Sequence, residues 1–551
     1  MANRVLKVHP DDNVIVALQP LQAGETVELD GQTYAVAEDI AVKHKFTEAA
    51  LAPGDPIRMY GVLVGKATEA IAAGGRIRTE NVKHEAEAYD LDALEPTTWV
   101  KPDTAHFEGR TFMGFHRGDG QIGTRNYWLV IPLVFCENRN IKVIEEAMVK
   151  ELGYLSGKDF SVDVRQLVQM QQQGAAPEAI LQAEVIRSGQ RPAEDRVFPH
   201  VDGIKFLRHD GGCGGIRQDS ETLLRLLTGY LTHPNVAGAT VLSLGCQNAQ
   251  VSLFEQTLRE RDPNFDKPLY ILEQQGSKSE RAFIAEAVKK TFVGLMQANQ
   301  AQRKPAPLSA LKLGLECGGS DGFSGISANP ALGYASDLLV ALGGTAILSE
   351  FPELNGVEQE LVNRCADRKQ AEKFVHLMDT YAQRAVAVGS GFDMNPSPGN
   401  IKDGLITDAM KSAGAAKKGG TSPVTAVLDY TEPATEPGLN LLCTPGNDVE
   451  STTGLAGSWA NMIVFTTGLG TPTGNPIAPV IKLSSNTDLA TRMADLIDLD
   501  AGSIISGEDT IETLGEKLLD LIIRIASGEA RAKAELLGQD DFIPWKRGIS
   551  L

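Results

Sequence analysis

One stretch, from Leu311 to Glu358, constrains the fold more than any other part of the chain. It begins with the short apolar run KLGL, continues into the small-residue loop ECGGSDGFSGIS, and then shows an apolar periodic segment from Pro330 to Leu342. The pair Gly343–Gly344 ends that segment, and a second apolar run, TAILSE, follows. This order predicts a strand, a loop, a helix and a second strand. In an open parallel sheet, the loops that leave the carboxyl ends of the strands form the ligand crevice.

Thiols mark the ends of several predicted strands in the same way. Five of the six cysteines each fall just past an apolar run, namely Cys136, Cys213, Cys246, Cys317 and Cys443. Cysteines that only filled the core would lie inside such runs. At a strand end a thiol serves as a metal or iron–sulfur ligand or as a nucleophile, and a purely steric role in a tight strand exit is the alternative. No local CxxC pair is present, so any metal site has to be assembled from distant segments.

The composition excludes several classes of protein. At 551 residues the chain is long enough for roughly two to four domains. Its net charge of −19 argues against a nucleic acid or an anionic membrane surface as the partner. The longest apolar run, from Tyr127 to Phe135, is too short to span a bilayer, and the amino terminus has no signal-peptide core. Six cysteines without a small disulfide framework predict free thiols, so we expect a cytoplasmic protein.

The order of patterns along the chain predicts a multidomain α/β protein. Residues 1–88 alternate short β-rich runs with turns, which is typical of a small all-β module. Residues 89–110 are acidic, contain proline and lack periodicity, so we interpret them as a linker. Alternating strand and helix patterns then predict a second α/β domain over residues 111–305 and a C-terminal parallel-sheet domain over residues 306–551. No P-loop or GxGxxG motif between a strand and a helix is present, which argues against a dinucleotide site.

Several long motifs carry a resemblance to a known family. They are GDGQIGTRN, HDGGCGG, VLSLGCQN, LECGGSDGFSGISANPALGYASD, NPSPGN, LLCTPGND and FTTGLGTPTGNP. In these motifs the chain resembles the altronate and galactarate dehydratases along nearly its whole length. The resemblance implies a β-clip, SAF-like domain at the N-terminus, a Rossmann-like catalytic domain at the C-terminus, and a homodimer or higher homo-oligomer.

The resemblance also implies a reaction and a cofactor. Enzymes of this family remove water from a sugar acid and are described as needing Fe(II). Mn(II) is a potential substitute, and an iron–sulfur cluster stays open as an alternative. The expected reaction converts D-altronate to 2-keto-3-deoxy-D-gluconate in hexuronate catabolism. The alternatives are another aldarate or aldonate such as galactarate, sulfite elimination from sulfolactate, and a binding protein that has kept the pocket without turnover.

The expected site follows from the resemblance together with the chemistry. A proton next to a carboxylate is weakly acidic, so a metal and fixed donors have to stabilise the enediolate while a base takes the proton. The catalytic candidates are His209, Asp321 and Lys402. The metal-ligand candidates are His209, Cys213, Cys246, Cys317, Glu316 and Asp448. The candidates for holding the substrate are His44, Lys45, Arg125, Ser320, Asn400, Thr466 and Thr467.

Two positions depart from the family pattern. Leu469 stands where an arginine is common, which removes one expected positive contact. Gly212, the residue before Cys213, stands where a tyrosine is common. Both changes bear on which sugar acid fits, so the reaction class is better determined than the substrate.

Overall fold

The computed structural model describes residues 4–95, 97–154, 160–188 and 196–548. Its N-terminal domain consists of short antiparallel strands, as the alternating β-rich runs predict. Three small sheets have the orders β1-β2-β5, β3-β4 and β6-β7-β8. The strands are β1 (Val5–Leu6), β2 (Val14–Ala17), β3 (Thr26–Leu29), β4 (Gln32–Ala35), β5 (Lys45–Thr47), β6 (Pro56–Met59), β7 (Val62–Ala67) and β8 (Val82–Lys83).

The segment over residues 89–110 runs along the surface of the C-terminal domain. The Tyr89 hydroxyl donates to Asp379 Oδ2 (2.9 Å), and the Asp90 backbone N–H donates to Gln359 Oε1 (2.6 Å). Further on, Phe107 is buried, with 1% of its surface exposed. The described part of this segment forms no helix or strand, yet these contacts fix its path.

The middle domain is an α/β unit built on a four-stranded parallel sheet with the order β14-β11-β15-β16. A small sheet, β10-β9-β17, lies beside it, and the pair β12-β13 closes an excursion that carries two short helices. The elements are β9 (Thr111–His116), β10 (Ile122–Gly123), β11 (Tyr127–Pro132), α1 (Asn138–Glu151), β12 (Phe160–Val162), α2 (Val164–Gln172), α3 (Pro177–Leu181), β13 (Ile186–Ser188), β14 (Gly203–Phe206), α4 (Arg217–Thr232), β15 (Val236–Ser243), α5 (Val251–Arg261), β16 (Leu269–Glu273), α6 (Glu280–Ala298) and β17 (Lys304–Pro307).

The C-terminal domain contains seven parallel strands in the order β20-β21-β19-β18-β22-β23-β24. The central strands are buried along their length and are therefore nearly continuous apolar runs. The elements are β18 (Lys312–Cys317), α7 (Ala328–Ala341), β19 (Thr345–Leu348), α8 (Glu358–Asn363), α9 (Arg368–Ala387), α10 (Pro398–Lys402), α11 (Asp408–Ala416), β20 (Val424–Leu428), β21 (Gly438–Leu442), α12 (Asp448–Gly457), β22 (Met462–Thr467), β23 (Val480–Ser484), α13 (Thr487–Arg492), β24 (Leu499–Asp500), α14 (Gly502–Ser506), α15 (Ile511–Ala526) and α16 (Lys533–Leu537).

The chain reverses its direction of travel across this sheet at β18. The strand that follows, β19, lies on one side of β18, whereas β22 lies on the other. Such a reversal opens a crevice outside the carboxyl ends of the two strands. The loops after β18 and β22 meet there, since the Gly468 backbone N–H donates to the Gly319 carbonyl (3.0 Å).

One apolar cluster contains buried residues of both the middle and the C-terminal domain. Helix α4 crosses α12 closely, because Gly229 faces the Gly457 carbonyl so tightly that a Cβ on Gly229 would clash with it. The Trp459 indole N–H donates to Thr232 Oγ1 (3.0 Å) beside this crossing. These contacts join the carboxyl-terminal ends of α4 and α12.

The expectation of a multidomain α/β chain with a strand-rich N-terminus and a parallel C-terminal sheet is confirmed. The opening stretch folds in the predicted order, as β18, a loop, α7 and β19. Among the described residues, no helix has both the length and the apolar character needed to cross a membrane.

Candidate active site

Three acids converge at the carboxyl edge of the C-terminal sheet. Glu316 is the penultimate residue of β18, Glu350 follows β19 after one intervening residue, and Asp448 begins α12 after β21. One carboxyl oxygen of each lies within 4.8 Å of the other two. Neighbouring parallel strands end at the same edge, which brings together acids that are far apart in sequence.

Buried lysines surround these acids and pair with some of them. Lys418 Nζ lies 2.6 Å from Glu350 Oε2, and Lys411 Nζ lies 2.6 Å from Glu353 Oε1. All four side chains are buried, so each charge depends on its partner. We refer to Glu316, Glu350, Glu353, Asp448, Lys411, Lys418 and Lys482 together as the carboxylate–lysine cluster.

Cys317 is a neutral thiol held inside this cluster. Lys418 Nζ donates to its Sγ (2.7 Å), and the Sγ in turn donates to Glu353 Oε2 (3.2 Å). Burial, followed by the charge of Glu350, raises the pKa of Cys317 well above its usual value. The protonated thiol therefore acts as a hydrogen-bonding link between an ammonium and a carboxylate.

The acids of the cluster differ in their protonation. Burial, followed by the charge of Glu350, raises the pKa of Glu316 well above its usual value and that of Asp448 to about 7. Burial also acts on Glu353, but the charges of Lys411 and Lys418 outweigh it and lower the pKa of Glu353. Glu353 is thus ionised in its ion pair with Lys411. The raised pKa values of Glu316 and Asp448 favour their protonated forms, and a bound cation would favour the ionised forms.

Lys482 lies on the same face of the sheet as Glu316. The parallel register pairs Glu316 with Phe465 on β22, and Phe465 with Lys482 on β23. Lys482 Nζ lies 3.7 Å from the centre of the Phe465 ring and donates to the Thr473 carbonyl. Burial lowers the pKa of Lys482 to about 7. The row therefore ends in an amine that is substantially unprotonated near neutral pH.

The three acids suit a divalent cation because they are oxygen ligands and because two of their carboxyl oxygens have no hydrogen-bond partner. Glu316 Oε2 accepts from the Ser349 and Ser451 hydroxyls (2.8 and 2.7 Å). Glu316 Oε1 and Glu350 Oε1 are buried without a hydrogen-bond partner. Three carboxylates supply the oxygen donors that ions such as Mn²⁺ and Fe²⁺ accept, and a cation would satisfy both oxygens.

Asp321 forms a second polar centre, where the N-terminal domain docks. Lys43 Nζ lies 2.9 Å from Asp321 Oδ2. Asp321 also accepts from the Ser324 and Ser485 hydroxyls (2.9 and 2.7 Å) and from Asn486 Nδ2 (3.1 Å). With these donors around it, the Asp321 carboxylate fixes the interface between the two domains.

The next predicted residues lie around the same interface. His44 Nε2 bonds to the Lys402 carbonyl (3.1 Å), and Lys45 Nζ donates to the Gly404 carbonyl (2.7 Å). Burial lowers the pKa of Lys45 to about 7. Asn400 Nδ2 donates to the Ser320 carbonyl (2.7 Å), which ties α10 to the loop after β18. These predicted substrate residues are brought together, with protein groups as their partners; the side chain of Lys402 is exposed.

The predicted threonines lie at the end of β22, next to the cluster. Thr466 Oγ1 donates to Asn329 Oδ1 (2.6 Å), and Thr467 Oγ1 accepts from the Gly470 backbone N–H (3.0 Å). Leu469, at the position of a common family arginine, donates its backbone N–H to the Gly319 carbonyl (3.0 Å). Both hydroxyls thus shape the loop that faces the crevice.

The remaining metal-ligand candidates belong to the other sheet. Cys213 and Cys246 lie in loops of the middle domain, apart from Cys317. His209 is buried there, with Nε2 bonded to the Pro132 carbonyl (2.8 Å) and Nδ1 accepting from the Gly211 backbone N–H (3.1 Å). Both ring nitrogens of His209 are therefore engaged with the backbone of the middle domain.

Arg125 forms a buried ion pair with Glu535 of the C-terminal segment. It forms a bidentate pair with Glu535, with Nε to Oε1 and Nη2 to Oε2 both at 2.8 Å. Nη1 donates to the carbonyls of Thr124 (2.7 Å) and Ile525 (2.9 Å). Arg125, expected to hold a substrate carboxylate, instead binds the middle domain to the C-terminal segment.

Several residues of the cluster were not among the sequence candidates. Glu350 carries the strand-end signal that singled out Glu316, because it closely follows the apolar run TAIL. Glu353, Lys411 and Lys418 carry no such signal, since charged residues in loops and helices ordinarily indicate a solvated surface.

Family models match three consecutive parts of the chain. Residues 3–85 match the altronate/galactarate dehydratase SAF domain. Residues 114–299 match the second domain of D-galactarate dehydratase/altronate hydrolase, and residues 308–550 match the C-terminal domain of D-galactarate/altronate dehydratase.

Curated relatives match over nearly their full length. The chain is 34% identical to an altronate dehydratase of Escherichia coli (strain K12) and 33% identical to one of Bacillus subtilis (strain 168), in each case over 95% of both chains. It is 31% identical to a galactarate dehydratase (L-threo-forming) of Escherichia coli (strain K12), over 97% of this chain and 94% of that one. All three parts of the chain match, and the chain belongs to the altronate/galactarate dehydratase family.

Proposed function

We propose that this protein is a metal-dependent hydro-lyase that dehydrates D-altronate to 2-keto-3-deoxy-D-gluconate. The observation that carries the proposal is the convergence of Glu316, Glu350 and Asp448, with buried carboxyl oxygens that have no partner. The choice of substrate is supported by the two altronate dehydratases that match over 95% of the chain. Fe(II), with Mn(II) as a substitute, suits the three oxygen donors.

Glu316, Glu350 and Asp448 would hold the metal, which as a Lewis acid supplies charge stabilisation for an enediolate. Lys418 and Lys411 keep Glu350 and Glu353 in position through ion pairs of 2.6 Å. Burial alone would lower the pKa of Lys418, but the charges of the neighbouring acids Glu350 and Glu353 raise it well above its usual value. The ammonium is therefore a permanent positive charge beside the site and adds to the stabilisation of an anion.

We assign the removal of the α-proton to the Lys482 amine. It lies in the row Glu316–Phe465–Lys482, and its pKa, lowered by burial to about 7, leaves a free lone pair on Nζ. A base with a pKa close to the working pH is the most effective proton acceptor. The neutral Cys317 thiol is excluded from this role by its raised pKa.

A substrate panel tests the proposal directly. The anaerobically purified protein, supplied with Fe(II) and thiol, is offered D-altronate, galactarate, other hexonates and sulfolactate. Formation of a 2-keto-3-deoxy acid from D-altronate is the expected result, and removal of the metal with a chelator should abolish it. Absence of both keto acid and sulfite with every compound, metal being present, would refute the hydro-lyase assignment.

Galactarate is the second candidate substrate. The match to a galactarate dehydratase over 97% of this chain favours it. Galactarate carries a second carboxylate, which calls for a further positive contact, and Leu469 supplies none at the position of the common arginine. The altronate reading is therefore preferred, and turnover of galactarate alone in the panel would reverse the choice.

Three wider expectations also stand as proposals. We interpret the C-terminal sheet, with its reversal at β18, as Rossmann-like. All six cysteines are free, which suits the reducing cytoplasm. We propose a homodimer or higher homo-oligomer paired through the excursion β12–β13, where α2 has no buried residue and Leu181 is 81% exposed. A monomeric mass by light scattering would contradict this last proposal.

A further inference from the structure

Three thiols lie at the carboxyl edge of the middle sheet. Cys136 follows β11, Cys213 follows β14 and Cys246 follows β15, and these three strands are direct neighbours in the order β14-β11-β15. All three thiols are exposed, whereas Cys317 and Cys443 of the C-terminal domain are buried. The reaction proposed above does not use them.

The loops that carry Cys136 and Cys213 are bonded to each other at three points. The Phe135 backbone N–H donates to the Gly211 carbonyl (3.0 Å), and His209 Nε2 bonds to the Pro132 carbonyl (2.8 Å). Asn138 Nδ2 donates to the His209 carbonyl (2.7 Å). His209 is thus a positioning residue that sets the path of the Cys213 loop relative to the turn containing Cys136.

The Cys213 loop is bonded to the Cys246 loop as well. The Ala249 backbone N–H donates to the Gly212 carbonyl (3.1 Å), and Gln275 Nε2 donates to Cys246 Sγ (3.2 Å). Gly212 has a φ of +93°, and a Cβ there would clash with the Leu133 carbonyl. Glycine at this position therefore lets the loop pass directly against the end of β11, which a tyrosine would prevent.

The three thiols follow neighbouring strands at one edge of the sheet but are too far apart for one small ion. Burial, followed by the charge of Cys213, raises the pKa of Cys136. Yet among the described residues the groups of three ligand atoms within 4.8 Å do not include this trio. A single tetrahedral zinc ion, with Zn–S bonds of about 2.3 Å, holds its sulfurs only about 4 Å apart.

A cavity lies beside one of the three thiols, Cys213. A cavity of about 230 Å³ is bounded by Phe135, Cys213 and the glycines around it, and by Trp545 of the C-terminal segment. Phe135, next to Cys136 in the sequence, also borders this cavity and is 43% exposed. Space for a group larger than one ion is therefore present on the Cys213 side of the edge.

We propose that Cys136, Cys213 and Cys246 bind a cuboidal iron–sulfur cluster of the [4Fe–4S] type. Such a cluster bridges thiolates that are further apart than the ligands of one ion. Each thiol loses its proton as its Sγ–Fe bond forms, so uptake of a preformed cluster releases three protons and requires no oxidant. The other three cysteines lie in the C-terminal domain, so one iron has no cysteine ligand and is open to an oxygen donor.

This site is distinct from the carboxylate–lysine cluster. Soft thiolates select iron–sulfur clusters, whereas the carboxyl oxygens of Glu316, Glu350 and Asp448 select a hard divalent ion. The two edges approach each other, since Asp210, in the Cys213 loop, contributes to raising the pKa of Glu450 in α12 after burial. Occupation of one site can be measured without the other, because only the cluster contains acid-labile sulfide.

The test is metal and sulfide analysis of the full-length chain purified without oxygen. We expect about four sulfide per chain together with about four cluster iron, a brown colour, and loss of the sulfide by at least about tenfold in each of Cys136→Ser, Cys213→Ser and Cys246→Ser. Cys365→Ser, a matched cysteine variant in the C-terminal domain, should keep both, and so should Glu316→Gln. Retention of iron and sulfide in the three serine variants would overturn the proposal.

A second measurement does not depend on whether the variants fold. In the wild-type chain the three thiols should resist alkylation while the cluster is bound, and react rapidly once it is removed by a chelator and an oxidant. Mass spectrometry locates the modified residues. A colourless wild-type protein whose three thiols react at once, or one that holds zinc without sulfide, would refute the assignment whatever its activity.

Discussion

Lys482→Met is expected to lower kcat by about 10²- to 10⁴-fold, the usual contribution of a general base. Methionine preserves the length and apolar contacts of the side chain beside Phe465 but has no lone pair that can take the α-proton. Because burial lowers the pKa of Lys482, methionine removes little charge, and its effect on stability should be limited to the lost bond to the Thr473 carbonyl. Steady-state kinetics with D-altronate, together with thermal unfolding, measure both effects.

Two further variants separate this role from general effects of charge. Lys482→Arg should be as inactive as the methionine variant, because a guanidinium stays protonated. Lys312→Met is the matched control: Lys312 is also a largely buried lysine, bonded to the Ala434 carbonyl (2.8 Å) at the opposite end of β18, and should keep normal kcat. A similar loss in Lys312→Met, or full activity in Lys482→Arg, would exclude Lys482 as the base.

Glu316→Gln distinguishes the base from the metal site. The amide is nearly the same size as the carboxyl group and can still accept from Ser349 and Ser451, but it is a far weaker metal ligand. We expect weaker binding of Fe(II) or Mn(II) by calorimetry in this variant and normal metal binding in Lys482→Met. Equal metal affinity in Glu316→Gln and the wild type would contradict the assignment of Glu316 as a ligand.

Arg125→Met is expected to lower the free energy of unfolding by about 3–5 kcal/mol, the usual effect of removing one partner of a buried pair. The change leaves Glu535 buried without its guanidinium partner and takes away the donors to the Thr124 and Ile525 carbonyls. Urea unfolding followed by circular dichroism measures the loss. Activity at a temperature where the variant stays folded should be normal, whereas a residue that held the substrate would raise KM.

An exposed ion pair provides the control for Arg125→Met, and the pair between Arg125 and Glu535 itself predicts a dependence of stability on pH. Arg208→Met breaks an exposed pair with Glu145 (3.2 Å) and should cost less than about 1 kcal/mol. Burial would raise the pKa of Glu535, but Arg125 lowers it to about 2, below the usual 4.5. The pair therefore stabilises fully above about pH 4.5, and its contribution disappears as the pH falls towards 2. The stability gap between the wild type and Arg125→Met should narrow over that range.

The sequence predicted which side chains lie at the ends of strands, but not which of those strands share a sheet. Apolar runs ending in polar residues placed Glu316, Cys317 and Asp448 at strand ends, and the structure has them at the carboxyl edge of one sheet. The same rule grouped Cys213 and Cys246 with Cys317 as metal-ligand candidates, because a strand-end signal does not say to which sheet the strand belongs. Pairing between strands is a tertiary property, and two parallel sheets yield the same local pattern.

The parts that could not be predicted depend on long-range pairing. Lys418 is buried because Glu350, 68 positions earlier in the chain, neutralises it. The sequence predicted His209 as a base or metal ligand, and its Nε2 bonds to the Pro132 carbonyl, 77 positions away. Charged and polar side chains of this kind are buried only when a partner is present, and the partner is known only from the fold.

The contacts between the N-terminal and C-terminal domains bear on the role of the segment that connects them, residues 89–110. Lys43 and Lys45 bind Asp321 and the Gly404 carbonyl directly, and residues 89–110 add contacts of their own, such as the bond from Tyr89 to Asp379. The connecting segment therefore contributes both contacts and effective concentration, the latter on the order of millimolar for a short tether. A gene split inside this segment would lose the effective concentration, and assembly of the two polypeptides would then depend on their dilution.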